Sequence, residues 1–388
     1  MMKTAIWLYF FMFVALFDLH AQFPILSPFA LSLGAVPSFI GLIMGVYSLT
    51  HLPGNLLAGY GVDLFGSKWF IAASLIGGGL LLFLQAGVTD PWQLLAVRSL
   101  SGFVLAFLSP ASMAMLAKLA RNKLHQSQLM SGNGIVHTLA SVASPAAGAM
   151  LVAHFGFSRS FVILGWILLA AGLLTLVGLK EEREPRQVAA RRLSSRQVEI
   201  PHPDGKAEEA GLPWFFFGVP IALACSQGIL FFELPLGSVA RGSLMSSGML
   251  FSVVSIGALV SLSLVFLNRV SATGRALTAS LILALIYFGM AAQWSIPLYA
   301  SLFLIGAAKG IIFPALAAML AERTARSRYG RSFSLMSISS SLGSFVGPVL
   351  AGQLRAEISP FFIAFVILML GLILMSFTKP LPSVAVQP

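Results

Sequence analysis

Asp18, Arg98 and Lys309 each stand inside a long apolar run. An ionised side chain at the centre of a bilayer costs at least about 2.5–3.5 kcal/mol, so such a residue faces a cavity or a partner. Depth follows from helix rise. Asp18, 14 residues past Thr4, lies roughly 21 Å from one surface at about 1.5 Å per residue. Arg98, seven residues past Pro91, lies roughly 10 Å from the other on the same rise. In a hydrocarbon core about 30 Å thick the two depths coincide. The spacing predicts that Asp18 and Arg98 interact, and that protonating Asp18 releases Arg98. A static ion pair that only fixes helix packing is the competing reading.

Lys309, twelve residues past Pro297, is the deepest charge, roughly 18 Å in. A lysine there must find an anion (a substrate carboxylate or phosphate, or an acidic side chain) or lose its proton by desolvation. Tyr47, His51 and Asn55 recur every four residues and form one polar stripe, as do Asn133 and His137. Asp18 and Gln22 share a helix face, whereas His20 points away from it. Histidine titrates near neutrality, so His51 or His137 can relay protons; a plain helix-to-helix hydrogen bond is the alternative. Gln22, Tyr47, His51, Asn133, Gln227, Phe231 and Lys309 are the candidate substrate contacts, and Asp18, Arg98 and His137 the candidate proton-coupling residues. Glu233, near the end of its apolar run, reads as an interfacial carboxylate.

The elements that hold these residues are long apolar helices. Of 388 residues 57% are hydrophobic and 10% charged, and the mean hydropathy is +0.90. A bilayer core takes about 20 apolar residues as helix, and helices or closed barrels alone satisfy their backbone there. Twelve such stretches stand at about 5–30, 36–58, 68–89, 91–117, 128–153, 158–179, 213–237, 244–267, 274–292, 296–321, 332–354 and 359–378. With the N-terminus in the cytosol, 19 of the 24 Lys and Arg fall inside and three outside (Arg159, Arg241 and Arg355); Arg98 and Lys309 lie within spans. This asymmetry predicts cytosolic termini and a cytosolic central loop. The net charge of +11 is spread between spans, which argues against nucleic acid as a partner. The single cysteine, Cys225, excludes a disulfide within the chain. Met1-Met2-Lys3 and the apolar run behind it read as the first span rather than a signal peptide, because no small-residue cleavage site closes the run.

The two halves resemble each other; chance alignment of apolar helices with prolines is the competing reading. Pro28 and Gly41 match Pro235 and Gly248 at a spacing of 207; Pro110 and Ala111 match Pro314 and Ala315 at 204; Pro145 matches Pro348 at 203. The expected architecture is all-α and integral to the membrane: twelve transmembrane helices in two pseudo-symmetric six-helix bundles, 1–179 and 213–388. Residues 180–212 join them, with seven basic and seven acidic residues and too few large apolar ones to bury a core. Parallel repeats of this kind predict two lobes with a substrate site between them near the midplane.

Gly59, Asp63, Gly66 and Lys68 lie between spans two and three. Their spacing resembles the cytosolic signature loop of the major facilitator superfamily, with Leu64 and Ser67 standing where basic residues are usual. Arg98-x-x-x-Gly102 is similar to the superfamily's fourth-helix motif, whose arginine is tied to proton coupling. Ser144-Pro145-Ala146-Ala147-Gly148 is similar to its antiporter motif, and the copy at Gly343, Gly347 and Pro348 is closer to the pattern. The resemblance covers essentially the whole chain and is strongest to the twelve-helix drug:proton antiporters, which carry an acid in span one ahead of prolines, as Asp18 precedes Pro24 and Pro28.

The resemblance implies a secondary active transporter working by alternating access, with small-molecule substrate and protons as partners, surrounded by lipid in the cell's inner membrane, monomeric and without cofactor or metal. The expected activity is proton-coupled efflux of small amphipathic compounds such as drugs or metabolites. An uptake symporter or facilitator for an organic anion is the alternative. Nothing in the sequence supports an enzyme: it has no His/Cys metal cluster, no Gly-rich phosphate loop and no Ser-His-Asp set on shared elements.

Overall fold

A computed structural model describes residues 2–119, 122–179, 214–240, 244–264, 270–324 and 329–376. The charged stretch 180–212 lies outside the described residues. All regular structure among them is helical. The helices are α1 (Met2–Ser32), α2 (Pro37–Phe65), α3 (Ser67–Ala86), α4 (Pro91–Leu105), α5 (Leu108–Leu119) and α6 (Lys123–Gly178). After the 3₁₀ turn Trp214–Phe217 come α7 (Gly218–Ala240), α8 (Leu244–Ser263), α9 (Ala272–Ala291), α10 (Leu298–Arg323), α11 (Tyr329–Leu354) and α12 (Pro360–Ser376). Ten helical stretches are long and apolar enough to cross a membrane, and Pro360–Met375 is a shorter apolar one.

Local chemistry sets the helix ends. Pro91 opens α4 where its missing N–H costs nothing, and Asp90 accepts a hydrogen bond from the Trp92 backbone N–H at 2.7 Å. Asn122 caps α6 in the same way through the His125 N–H at 2.7 Å. Gly66 joins α2 to α3 with φ 91°, a conformation that a side chain would disfavour.

Two spans are not plain runs of helix. The stretch 91–117 is not one helix: α4 stops at Leu105 and α5 starts at Leu108. Pro110 is the physical reason, since it cannot donate to the Ala106 carbonyl four residues back and its ring crowds that carbonyl. The gap expected between 153 and 158 shrinks to one residue. Gly156, with φ 77° and ψ 173°, turns the chain between the two helices that make up α6.

The chain divides into two compact units. One holds α1 to α6 together with Leu234–Ser252. The other holds Trp214–Glu233 and the helices from Val253 onward. In the first unit Ser252 Oγ donates to the Val142 carbonyl at 2.7 Å, which ties α8 to α6.

Glycine sets the helix separations within each unit. A Cβ on Gly102 of α4 would collide with the Tyr47 carbonyl and the Thr50 hydroxyl of α2, and one on Gly148 of α6 would collide with the Ala21 carbonyl of α1. In the second unit a Cβ on Gly306 of α10 would meet the Val254 carbonyl of α8, and one on Gly347 of α11 the Cys225 carbonyl of α7. These are the same helix pairs in the register of the repeat: Gly102 maps to Gly306 at 204, and Tyr47 to Val254 at 207. Such backbone contact is how helices gain packing where lipid removes the hydrophobic drive between them. Gly347→Leu is expected to lower the stability of purified protein by about 1–3 kcal/mol through overpacking. An unfolding temperature unchanged from that of the parent would show that α7 and α11 do not need this approach.

Candidate functional site

Five side chains from four helices of the first unit meet, four of them buried and Tyr47 half-buried. Asp18 and Gln22 lie one turn apart on α1, Gln85 near the end of α3, Arg98 on α4 and Tyr47 on α2. Asp18 is 2% exposed, Gln22 4%, Gln85 1% and Arg98 4%. Gln22 Nε2 donates to both carboxylate oxygens of Asp18 at 3.0 Å. Its carbonyl Oε1 accepts from Arg98 at 2.8 Å and from Gln85 Nε2 at 3.3 Å. The Arg98 guanidinium lies over the Tyr47 ring, 4.7 Å from its centroid, while its Nε is buried with no hydrogen-bond partner.

Asp18 and Arg98 therefore communicate, but through Gln22 rather than by the direct contact their depths suggested. The two ends fix the amide's orientation, because a guanidinium only donates and an ionised carboxylate only accepts. Hydrogen bonds to charged groups contribute about 1.5–3 kcal/mol each, comparable with the ~2.5–3.5 kcal/mol that each intramembrane charge costs at minimum. One neutral side chain thus offsets much of the cost of two charges. Gly102 has a part in the geometry as well. It stands one turn beyond Arg98 on the same face of α4, and its lack of a side chain lets that face approach Tyr47.

The repeat separates what the fold needs from what it does not. At its spacings Asp18 corresponds to Cys225, Gln22 to Ile229, Tyr47 to Val254 and Arg98 to Leu302. The second unit packs the corresponding helix pairs with apolar residues at these positions. Two buried charges are therefore not required for the packing.

The remaining candidates fall into three places. On α2, the Tyr47 and His51 rings stand 5.7 Å apart, and Asn55 Nδ2 lies 2.9 Å from His51 Nδ1, so the polar stripe forms as expected. On α6, His137 meets the edge of His20 at 5.3 Å, while Asn133 has only a long contact to Met113 Sδ at 3.8 Å and leaves its buried Oδ1 unpaired. His20, set aside in the sequence because it points away from Asp18, points toward this second histidine. In the second unit Lys309 Nζ lies 6.0 Å from the centroid of the Phe231 ring. Gln227 is one turn before Phe231 on α7. Phe232 is fully buried, so it does not share a surface with Phe231. Glu233 is held by Arg355 through two hydrogen bonds of 2.8 and 3.0 Å. That bonding raises the Arg355 guanidinium above its ordinary value, against the opposing effect of partial burial.

Among the signature-loop residues, Gly66 makes the turn and Lys68 is half-buried at the start of α3. The surroundings of Gly59 and the side chain of Asp63 lie outside the described residues. Pro145 and Pro348 are buried inside α6 and α11. Among the described residues no three His, Cys, Asp or Glu side chains group as a metal site. A cavity of about 560 Å³ opens beside Phe83, Phe155 and Arg159, and none of the candidate substrate or proton-coupling residues lines it.

A family model for the Major Facilitator Superfamily matches residues 8–293 and 269–387. The chain belongs to that superfamily. It is a multi-pass membrane transporter, and the family implies a small-molecule substrate. Among curated relatives, the Multi-drug resistance efflux pump PmrA homolog of Lactococcus lactis is 27% identical over 367 residues, covering 90% of this chain and 88% of that one. Multidrug resistance protein MdtG of Citrobacter koseri is 25% identical over 371 residues, covering 91% and 88%. The crystal structure of a bacterial homolog to the human lysosomal transporter Spinster shares the superfamily fold, with a TM-score of 0.75 and 14% identity over 97% of this chain and 96% of that chain.

Proposed function

We propose that this superfamily member is a proton-coupled exporter of small amphipathic compounds, drugs or metabolites, working by alternating access. The observation that carries the reading is the buried Asp18–Gln22–Arg98 chain, whose positions the duplicated half fills with apolar residues. The likeness to a multidrug resistance efflux pump and to multidrug resistance proteins supports the direction of transport. The proposed architecture is twelve crossings in two six-helix bundles, 1–179 and 213–388, joined by a cytosolic segment 180–212. Ten long apolar stretches, the turn at Gly156 within one of them and the short helix Pro360–Met375 are consistent with twelve. The transporter acts as a monomer in the inner membrane with both termini in the cytosol.

The proposed proton step follows from hydrogen-bond inventory. An ionised Asp18 accepts from the Gln22 amide, whose carbonyl is left for Arg98. A protonated Asp18 carries an O–H that needs an acceptor. The Gln22 carbonyl is the neighbouring one, so the new donor competes with Arg98 for it. Arg98 then keeps the Tyr47 ring and lacks an oxygen partner. Binding a proton thus favours whichever lobe arrangement offers Arg98 another acceptor, and a ligand shifts such an equilibrium only through differential affinity for its states. In this reading His137, beside His20, supplies or removes the proton, and the stripe Tyr47–His51 with Asn133 lines the substrate path.

Everted vesicles with an imposed pH gradient test the direction. An exporter accumulates an amphipathic fluorescent dye in them and loses the accumulation when a protonophore collapses the gradient. Accumulation insensitive to the protonophore, or proton-driven uptake by intact cells alone, overturns the reading.

A further inference from the structure

We infer that Lys309, Phe231 and Gln227 form an anion-reading subsite, which makes the preferred substrates of the proposed exporter flat apolar bodies carrying one carboxylate. This rests on the transport reading for its setting, though not for its geometry. All three residues belong to the second unit, two on α7 and one on α10. All three are half-buried, whereas Asp18 and Arg98 of the first unit are buried.

Lys309 has a ring but no oxygen. Its ammonium lies 6.0 Å from the Phe231 centroid, at the outer limit of a cation–π contact, and it makes no hydrogen bond or ion pair among the described residues. The Gln227 amide likewise has no hydrogen-bond partner among them. Glu233, the carboxylate on α7, is not available to Lys309. It lies two residues past Phe231, so it points to another side of the helix, and both its oxygens are taken by Arg355. In the register of the repeat Lys309 corresponds to Leu105, so the packing at this position does not call for a cation. An unpaired cation in mid-span with an aromatic face beside it, and an unpaired amide one turn earlier on the helix that carries that ring, is a set of complementary contacts for a ligand. Lys309 takes one carboxylate oxygen, Gln227 donates to the other, and Phe231 stacks on the apolar body. One cation matches one negative charge, which favours a monocarboxylate over a phosphate.

Equilibrium binding to the purified full chain tests this, with 1-naphthoate and its neutral isostere 1-naphthamide as probes. Wild type is expected to bind the carboxylate about tenfold tighter than the amide, the scale of one charge-assisted contact. Lys309→Gln brings the two affinities within about twofold while naphthamide binding persists, and Lys309→Arg keeps most of the preference. If Lys309→Gln yields no folded protein, Gln227→Leu replaces it and narrows the preference by about threefold. A wild type without preference, or a variant that keeps the full preference, overturns the inference. The assay has no gradient, so the two readings fail separately: export with no carboxylate preference sinks this inference alone, and a preference without proton-driven export sinks the proposed function.

Discussion

Asp18→Asn is expected to abolish pH-driven export while leaving a protein that still binds substrate, more weakly. Asparagine keeps the size of the carboxyl and one of the two acceptors for the Gln22 amide, but it cannot take up or release a proton. Coupling between two ligands of one protein is typically 5–150-fold in affinity, so dye accumulation driven by a pH gradient should fall by about tenfold or more. Binding of the same dye to purified protein should persist but weaken by about fivefold or more, since an uncharged residue at this site resembles protonated Asp18 and exchange requires proton and dye to disfavour each other. A variant that still concentrates dye against its gradient would assign Asp18 to packing alone. Gln22→Leu separates the two roles of the chain. It leaves the proton-binding group in place and removes the only hydrogen-bond link to Arg98 among the described residues.

Arg98→Met should be the most destabilising single change in the first unit. It leaves the buried Asp18 carboxylate without a compensating charge, and breaking a buried pair by removing one partner costs about 3–5 kcal/mol. The double variant Asp18→Asn with Arg98→Met should regain most of that loss, because the equivalent positions of the second unit, Cys225 and Leu302, pack well without charge. Thermal unfolding of the four proteins gives the coupling energy directly. Additive losses would mean that Gln22 does not connect the two charges, whatever the distances.

Much of this was legible in the sequence, for reasons particular to a membrane. Apolar runs of bilayer length leave the backbone one local solution, and Pro37, Pro91 and Pro360 mark where helices begin. Even the break after Leu105 has a sequence signal in Pro110, four residues beyond the carbonyl it deprives. The meeting of Asp18 with Arg98 followed from depth alone, because helix rise converts residue count into distance from the surface. What depth cannot give is azimuth. Gln22 was legible as a neighbour of Asp18 at four residues, yet its position between α1 and α4 depends on how Gly102 and Gly148 bring the helices together. Gln85 was missed altogether. A lone amide in the apolar run of α3 was its only mark, and nothing local says that its partner lies 63 residues away. His20 was discounted for its angle to Asp18, and the same angle carries it to His137.

Proton release on substrate binding is the measurement closest to the central claim. The purified protein is mixed, in weakly buffered detergent solution with a pH indicator, with a dye that the vesicle assay shows to be exported. The account predicts that wild type releases about one proton per dye bound, as reciprocal linkage between the two ligands requires, and that Asp18→Asn releases none at dye concentrations high enough to fill it. Equal release from both proteins, or dye binding by wild type with no proton released at any pH, would contradict it.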